Sequence, residues 1–177
     1  MLRFISEYNN KPVMGIRGGR RLSTTVEPVI NPHKLSVYGF YCDDRASGTD
    51  RILLSEDVRE FSDVGLIVDS EDNLTDPSDL VRDEDILNMQ FEIIGKKLVT
   101  QSGKKLGRVE DYVVDDISYR IEKIYARPTA IRTLSTNDYI IARRQIASVN
   151  EDEIIVKDAV VKGGNRAHRP SFNPLQS

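Results

Sequence analysis

The sequence contains no tryptophan, one cysteine and two histidines in 177 residues. A single cysteine cannot form an intramolecular disulfide, which favours a reducing compartment. Cys42 ends an apolar run and is predicted to be a small buried side chain. His33 and His168 have no Cys, Asp or Glu at metal-ligand spacing on a shared element. We therefore expect no metal site, no Ser–His–Asp triad and no cofactor.

Long apolar runs are also missing. No stretch approaches the roughly 18 apolar residues of a membrane span. Residues 1–10 contain no apolar run long enough for a signal peptide. The sequence thus predicts a soluble cytoplasmic protein, with peripheral association with a membrane and the oligomeric state left open.

The net charge of −3 is concentrated in one short connector. Residues 69–85 contain eight Asp and Glu but one Arg, a net charge of −7. The segments 1–68 and 86–161 carry 0 and +1, and the tail 162–177 has three basic residues and no acidic one. Neither main segment has the net basic charge that is typical of a general nucleic-acid binder.

One sequence pattern occurs twice. Gly-Arg-Arg-Leu at 19–22 recurs as Gly-Lys-Lys-Leu at 103–106, which is 84 residues later. Ile-Val at 67–68 recurs at 155–156, which is 88 residues later. Self-similarity at a fixed period indicates a structural repeat. The longer second offset predicts roughly four additional residues in one loop of the second copy.

Each copy predicts short strands separated by turn signals, a pattern that is typical of a small barrel or sandwich. A helix is predicted between the copies, because Asp76 suits an N-cap and Pro77 suits the first helical position. The predicted fold is mainly β, with two small barrels in tandem. Its predicted parts are a first domain at 1–75, an acidic linker helix at 76–88, a second domain at 89–161 and a disordered basic tail at 162–177.

The second copy resembles the PRC-barrel family in two stretches, Ile-Gly-Lys-Lys-Leu-Val at 94–99 and Gly-Lys-Lys-Leu-Gly-Arg-Val-Glu-Asp at 103–111. That family includes the cytoplasmic domain of the photosynthetic reaction-centre H subunit and the C-terminal domain of a ribosome-maturation factor. The first copy departs from the pattern, with Ser23 in the place of Gly107 and Thr-Thr-Val-Glu-Pro at 24–28. Its assignment depends on the internal repeat, and together the copies span 1–161.

The resemblance implies a non-enzymatic adaptor or scaffold that binds a protein partner, because the family has no shared catalytic residues. An alternative is an RNA-binding or ribosome-assembly factor that uses basic hairpins on phosphates. A third is an enzyme or small-molecule binder with a cleft between the barrels. The candidate contacts for a partner or a phosphate are basic side chains, namely Arg20, Arg21, Lys96, Lys97, Lys104, Lys105, Arg108, Arg143 and Arg144.

Two apparent ligand motifs fail on spacing. The connector from Asp69 has alternating acids, but an EF-hand loop requires Gly at its sixth position and Glu at its twelfth, where Leu74 and Leu80 stand. The glycine-rich stretch 15–21 lacks the Gly-Lys-Ser/Thr ending of a phosphate-binding loop. The first is predicted to be a solvated linker and the second a hairpin turn.

Overall fold

The computed structural model describes residues 1–44, 49–128, 138–159 and 166–167. The described chain is mainly β and forms two compact units. The first consists of 1–92 and 112–122, and the second contains 93–111 and the described part of 123–177. The segment 112–122, which follows the connector in the sequence, thus belongs to the first unit. The domain boundaries predicted above stay a prediction.

The first half of the chain supplies eight strands. They are β1 (Leu2–Phe4), β2 (Pro12–Gly15), β3 (Arg20–Asn31), β4 (Ser36–Asp44), β5 (Thr49–Leu54), β6 (Glu60–Ser62), β7 (Gly65–Val68) and β8 (Leu74–Thr75). After one short helix, α1 (Glu84–Asn88), seven more strands follow. They are β9 (Lys97–Thr100), β10 (Lys105–Asp115), β11 (Ile121–Pro128), β12 (Asp138–Ala142), β13 (Ile146–Val149), β14 (Glu153–Val156) and β15 (Arg166–Ala167).

Seven strands follow the same order in both sheets, and the second sheet also contains β1, which pairs antiparallel with β10. The first runs β6-β7-β2-β3-β4-β5-β8, and the second runs β13-β14-β9-β10-β11-β12-β15. In each sheet the second strand of a short hairpin lies parallel beside an earlier strand, as β7 does with β2 and β14 with β9. Within the described residues neither sheet closes on itself, so the predicted closed barrels are not seen in this part of the chain.

Four aromatic rings form the centre of the first unit. Tyr8 stacks on Phe40 with 5.2 Å between ring centroids and packs against Phe61 at 4.5 Å. Tyr119 lies 6.0 Å from Phe40 with the rings edge to face. The Arg3 guanidinium lies 4.5 Å from the centre of the Phe61 ring, a favourable cation–π arrangement. The rings come from the N-terminal segment, from β4 and β6, and from the turn after β10, so the core joins distant parts of the sequence.

The second sheet contains a close approach of two strands at Gly107. A Cβ atom built on this residue would lie 1.9 Å from the carbonyl oxygen of Arg127 on β11. No real side chain tolerates that separation from a backbone atom. Glycine is therefore required sterically at this point of β10.

The predicted linker helix over 76–88 is wrong as a continuous helix. Asp76 does cap a helical turn, accepting a hydrogen bond from the Ser78 amide at 2.9 Å, but that turn is a 3-10 helix of three residues. The chain leaves helical geometry at Leu80, where ψ is +49°, then forms a second 3-10 helix at Val81–Asp83, which α1 follows at Glu84. Closely spaced like charges disfavour a longer helix here, because the segment is so acidic.

The predicted disordered tail falls largely outside the described residues. Its two described residues, Arg166 and Ala167, form the short strand β15 and pair with β12. A single 3-10 helical turn follows β5 at Ser55–Asp57.

The turn between β10 and β11 gives a testable dependence of stability on pH. The Asp115 carboxylate accepts hydrogen bonds from the Ser118 amide and hydroxyl, both at 2.9 Å, and these bonds lower the pKa of Asp115. A lowered folded-state pKa means that this group contributes stability above its unfolded pKa, about 3.9, and loses it as the pH falls through the folded value. Asp115→Asn keeps an acceptor for both bonds and removes the titration.

We therefore expect Asp115→Asn to weaken the loss of stability below about pH 4. The measurement is the urea midpoint at a series of pH values, and Asp63→Asn, at an exposed position in the β6–β7 turn, is the control. If the wild type and Asp115→Asn lose stability in parallel on acidification, the carboxylate of Asp115 has no such role.

Candidate functional site

A β-bulge on β3 is the local feature that builds the candidate site. Between Thr25 and Pro28 the register with β4 shifts, so Val26 and Glu27 together lie opposite Tyr41. A bulge bends its strand and turns side chains away from the regular alternation. Proline fits there because it lacks the amide hydrogen that a regular ladder position needs.

The bulge forms one wall of a groove in the first unit. The groove has a volume of about 460 Å³. The helix α1 packs against β3, and the end of α1 with the residues after it forms the other wall. We call this site the acidic groove. It is lined on the strand side by 26–30, Tyr41 and Asp50, and on the helix side by Ile86, Leu87, Gln90, Phe91 and Glu92.

The charge in the acidic groove has one sign. Glu27, Asp50 and Glu92 contribute carboxylates, and none of the residues that line the groove is Lys, Arg or His. Partial burial raises the pKa of Tyr41, and the nearby carboxylates of Glu27 and Asp50 raise it further. The phenol is thus neutral at physiological pH and lies within electrostatic range of two negative groups.

Apart from Gln90, the other side chains that line the groove are apolar. Val26 exposes 50% of its surface, and Ile86, Leu87 and Phe91 are half-buried. Apolar walls with carboxylates beside them suit a Lys or Arg side chain, because its methylene stem packs on apolar surface while its charged end reaches an acid. The groove can therefore bind a cation that carries an apolar stem.

The basic residues predicted in the first hairpin are occupied by their own neighbours. Arg20 forms an ion pair with Glu71 at 2.7 Å. Arg21 donates to the Ser23 carbonyl at 3.3 Å and bonds the Thr24 hydroxyl. Neither side chain lines the acidic groove.

The other predicted residues lie on the second unit. Lys96 donates to the Glu151 carbonyl, and Arg108 donates to the Gly95 carbonyl at 2.8 Å. Arg143 is half-buried in the helical turn after β12. The remaining ones are exposed, namely Lys97, Lys104, Lys105 and Arg144. Whether any of them contacts a partner stays a prediction.

The sequence analysis missed the acidic groove, although a signal was present. Val-Glu-Pro at 26–28 departs from Glu-Asp-Tyr at 110–112, the matching place in the second copy. In the second unit Asp111 is buried, and Glu110 is paired with Arg127 at 2.7 Å. The difference between the copies therefore coincides with a difference in available negative charge.

Of the cysteine and the two histidines, the structure describes Cys42 and His33. Burial raises the pKa of the Cys42 thiol to about 12, so the thiol stays protonated and inert. Cys42 is fully buried, as the sequence predicts. The His33 amide donates to the Asn31 side chain in the turn before β4, while His168 lies outside the described residues.

In the part of the chain that the structure describes, no three or more His, Cys, Asp and Glu are grouped so that they could hold a metal ion. The same part of the chain includes no helix with the length and apolar character needed to cross a membrane.

Comparison with known proteins gives no family, since neither a family model nor a curated protein matches the chain. The PRC-barrel resemblance thus depends on the sequence motifs alone.

Proposed function

We propose that this protein is a non-enzymatic adaptor that binds a protein partner, and that its two sheets are two copies of one PRC-like barrel unit. The repeat proposal is supported by the strand order that both sheets have in common, including the parallel pairs β2–β7 and β14–β9. It is also supported by Gly19 and Gly103, which are 84 positions apart. Both have positive φ, one in the hairpin between β2 and β3 and the other in the hairpin between β9 and β10.

The observation that carries the binding proposal is the acidic groove. It follows a bulged strand, it is open at the half-exposed Val26, and it combines apolar and charged side chains. Protein interfaces characteristically join an apolar centre to a polar rim. A groove beside a strand also matches the way in which extended peptide segments are recognised.

Photo-crosslinking in the cells that make the protein tests this function. A photoreactive phenylalanine analogue replaces Val26 or Gln90 in the groove, and Val64, which exposes 61% of its surface elsewhere, serves as the matched control. We expect the two groove positions to crosslink to the same protein and the Val64 position not to do so. Crosslinking to nucleic acid, or no crosslinked protein at either groove position, would contradict the proposal.

A further inference from the structure

We infer that the acidic groove binds a basic segment of the partner protein, in which Lys or Arg side chains alternate with apolar ones. This inference depends on the proposed adaptor function and specifies the chemistry of the partner. The support for a protein segment has three parts: the negative charge of the groove, its apolar side chains, and the contrast with the second unit.

The first part is charge complementarity. Glu27 and Glu92 stand on opposite walls and Asp50 stands on the strand side, so a bound segment would have carboxylates on both sides. No ion pair joins any of these three acids to a basic group among the described residues. Elsewhere in the same unit Asp69 and Glu71 are paired with arginines. The groove therefore keeps negative charge that the rest of the surface partly neutralises.

The second part is the apolar lining. A small hydrated cation would gain nothing from contact with the apolar side chains of Ile86, Leu87 and Phe91. A purely apolar ligand would remove water from the carboxylates without giving them a partner. A segment with both kinds of side chain satisfies the whole groove. The Tyr41 ring beside Glu27 and Asp50 adds a flat surface on which a guanidinium or ammonium group is attracted.

The third part is the contrast between the two units. On β10, Arg127 neutralises Glu110, and Asp111 is buried, so that strand presents little free negative charge. The connector that leads into α1 adds to the field of the first unit, because residues 69–85 carry a net charge of −7 and only Asp69 and Glu71 of its acids form ion pairs with arginines outside it among the described residues. Such a field raises the association rate of a basic segment and makes it sensitive to salt.

Selection from a display library of random dodecapeptides, with the full-length chain as target, tests this inference. We expect selected peptides to be rich in Lys and Arg next to apolar residues. Glu27→Gln, Asp50→Asn and Glu92→Gln combined should lower the affinity for a synthesised selected peptide about tenfold, since the variant removes three exposed opposite-charge contacts. The affinity of the wild type should also fall as salt rises.

The matched control is Glu60→Gln, Asp63→Asn and Glu151→Gln combined, which removes the same charge from exposed positions outside the groove. It should leave the peptide affinity within about twofold, a difference of roughly 0.4 kcal/mol. Circular dichroism checks that both variants are folded. Peptides without basic residues, no selected peptides, or equal weakening by the two variants would overturn the inference.

The two proposals fail in different ways. If Val26 and Gln90 crosslink to a partner in cells while no basic peptide binds the groove, the inference about basic segments is wrong and the adaptor function stands. If no partner is crosslinked, the adaptor function fails whatever the peptides show.

Discussion

Gly107→Ala is expected to destabilise the second unit by about 3 kcal/mol, which is at the upper end for overpacking a well-packed position. The added methyl carbon would lie 1.9 Å from the Arg127 carbonyl oxygen and 2.7 Å from its carbonyl carbon. Both are backbone atoms, so the strands β10 and β11 must separate to admit it. Urea denaturation followed by circular dichroism measures the loss, and hydrogen exchange of β9 and β10 locates it.

Gly18→Ala is the control for this change. A Cβ atom there would lie 3.5 Å from its nearest neighbour, the flexible side chain of Arg20. The control removes the same backbone freedom without a clash, so its urea midpoint should stay close to that of the wild type. A Gly107→Ala protein with the wild-type midpoint would show that the two strands are not held as closely as described.

Phe40→Ala is expected to lower the free energy of unfolding of the first unit by about 3–5 kcal/mol, the usual cost of removing a buried aromatic side chain. Phe40 exposes 1% of its surface and contacts the rings of Tyr8 and Tyr119. Its loss leaves a cavity among side chains that cannot close it without moving a strand. The measurement is urea denaturation followed by near-UV circular dichroism, which reports the tyrosine environments.

Tyr119→Phe tests the same cluster without making a cavity. The Tyr119 hydroxyl is buried and has no hydrogen-bond partner among the described residues. Removing such a group is close to neutral or stabilising, because no bond is lost. We expect stability unchanged or raised by up to about 1 kcal/mol. A clear loss of stability in Tyr119→Phe would mean that the hydroxyl is bonded in solution.

The strands of the second half could be predicted from the sequence because their signals are local. Leu-Val-Thr at 98–100 is followed by a turn at Gly103 with φ +82°, and the next strand ends at the Asp115–Asp116 turn. Positive φ favours glycine, and Asp side chains cap turns. The linker helix is interrupted because the cap signal at Asp76 starts only a short 3-10 turn, which ends at Leu80.

The acidic groove could not be predicted from the sequence because it depends on contacts between distant residues. Glu27 and Asp50 are 23 positions apart, and Glu92 is 42 positions further on. They meet only because β3 bulges and α1 packs against it. The basic residues of the first hairpin are predicted as contacts because they are adjacent in the sequence. In the structure Arg20 is paired with Glu71, and Arg21 donates to the Ser23 carbonyl.

Ser23 and Gly107 show how one substitution between the copies changes packing. In the first unit the Ser23 hydroxyl donates to the Asp43 carbonyl at 2.7 Å. In the second, Gly107 faces the Arg127 carbonyl, which is 84 residues after Asp43. The sequence shows that serine replaces glycine between the copies. It does not show that Ser23 forms a hydrogen bond with β4, or that Gly107 allows β10 and β11 to approach closely.

The segment 112–122, which joins β10 to β11, has a consequence for how the protein is made. Tyr119, which is 97% buried among the rings of the first unit, leaves the ribosome after the whole connector and β9. The N-terminal half therefore cannot complete its core while it is being synthesised. Tyr8 and Phe40 lack their contacts with Tyr119 until the segment 112–122 has been made. Native contacts between such distant residues slow folding. The nascent chain is thus exposed to aggregation until residue 122 has left the ribosome.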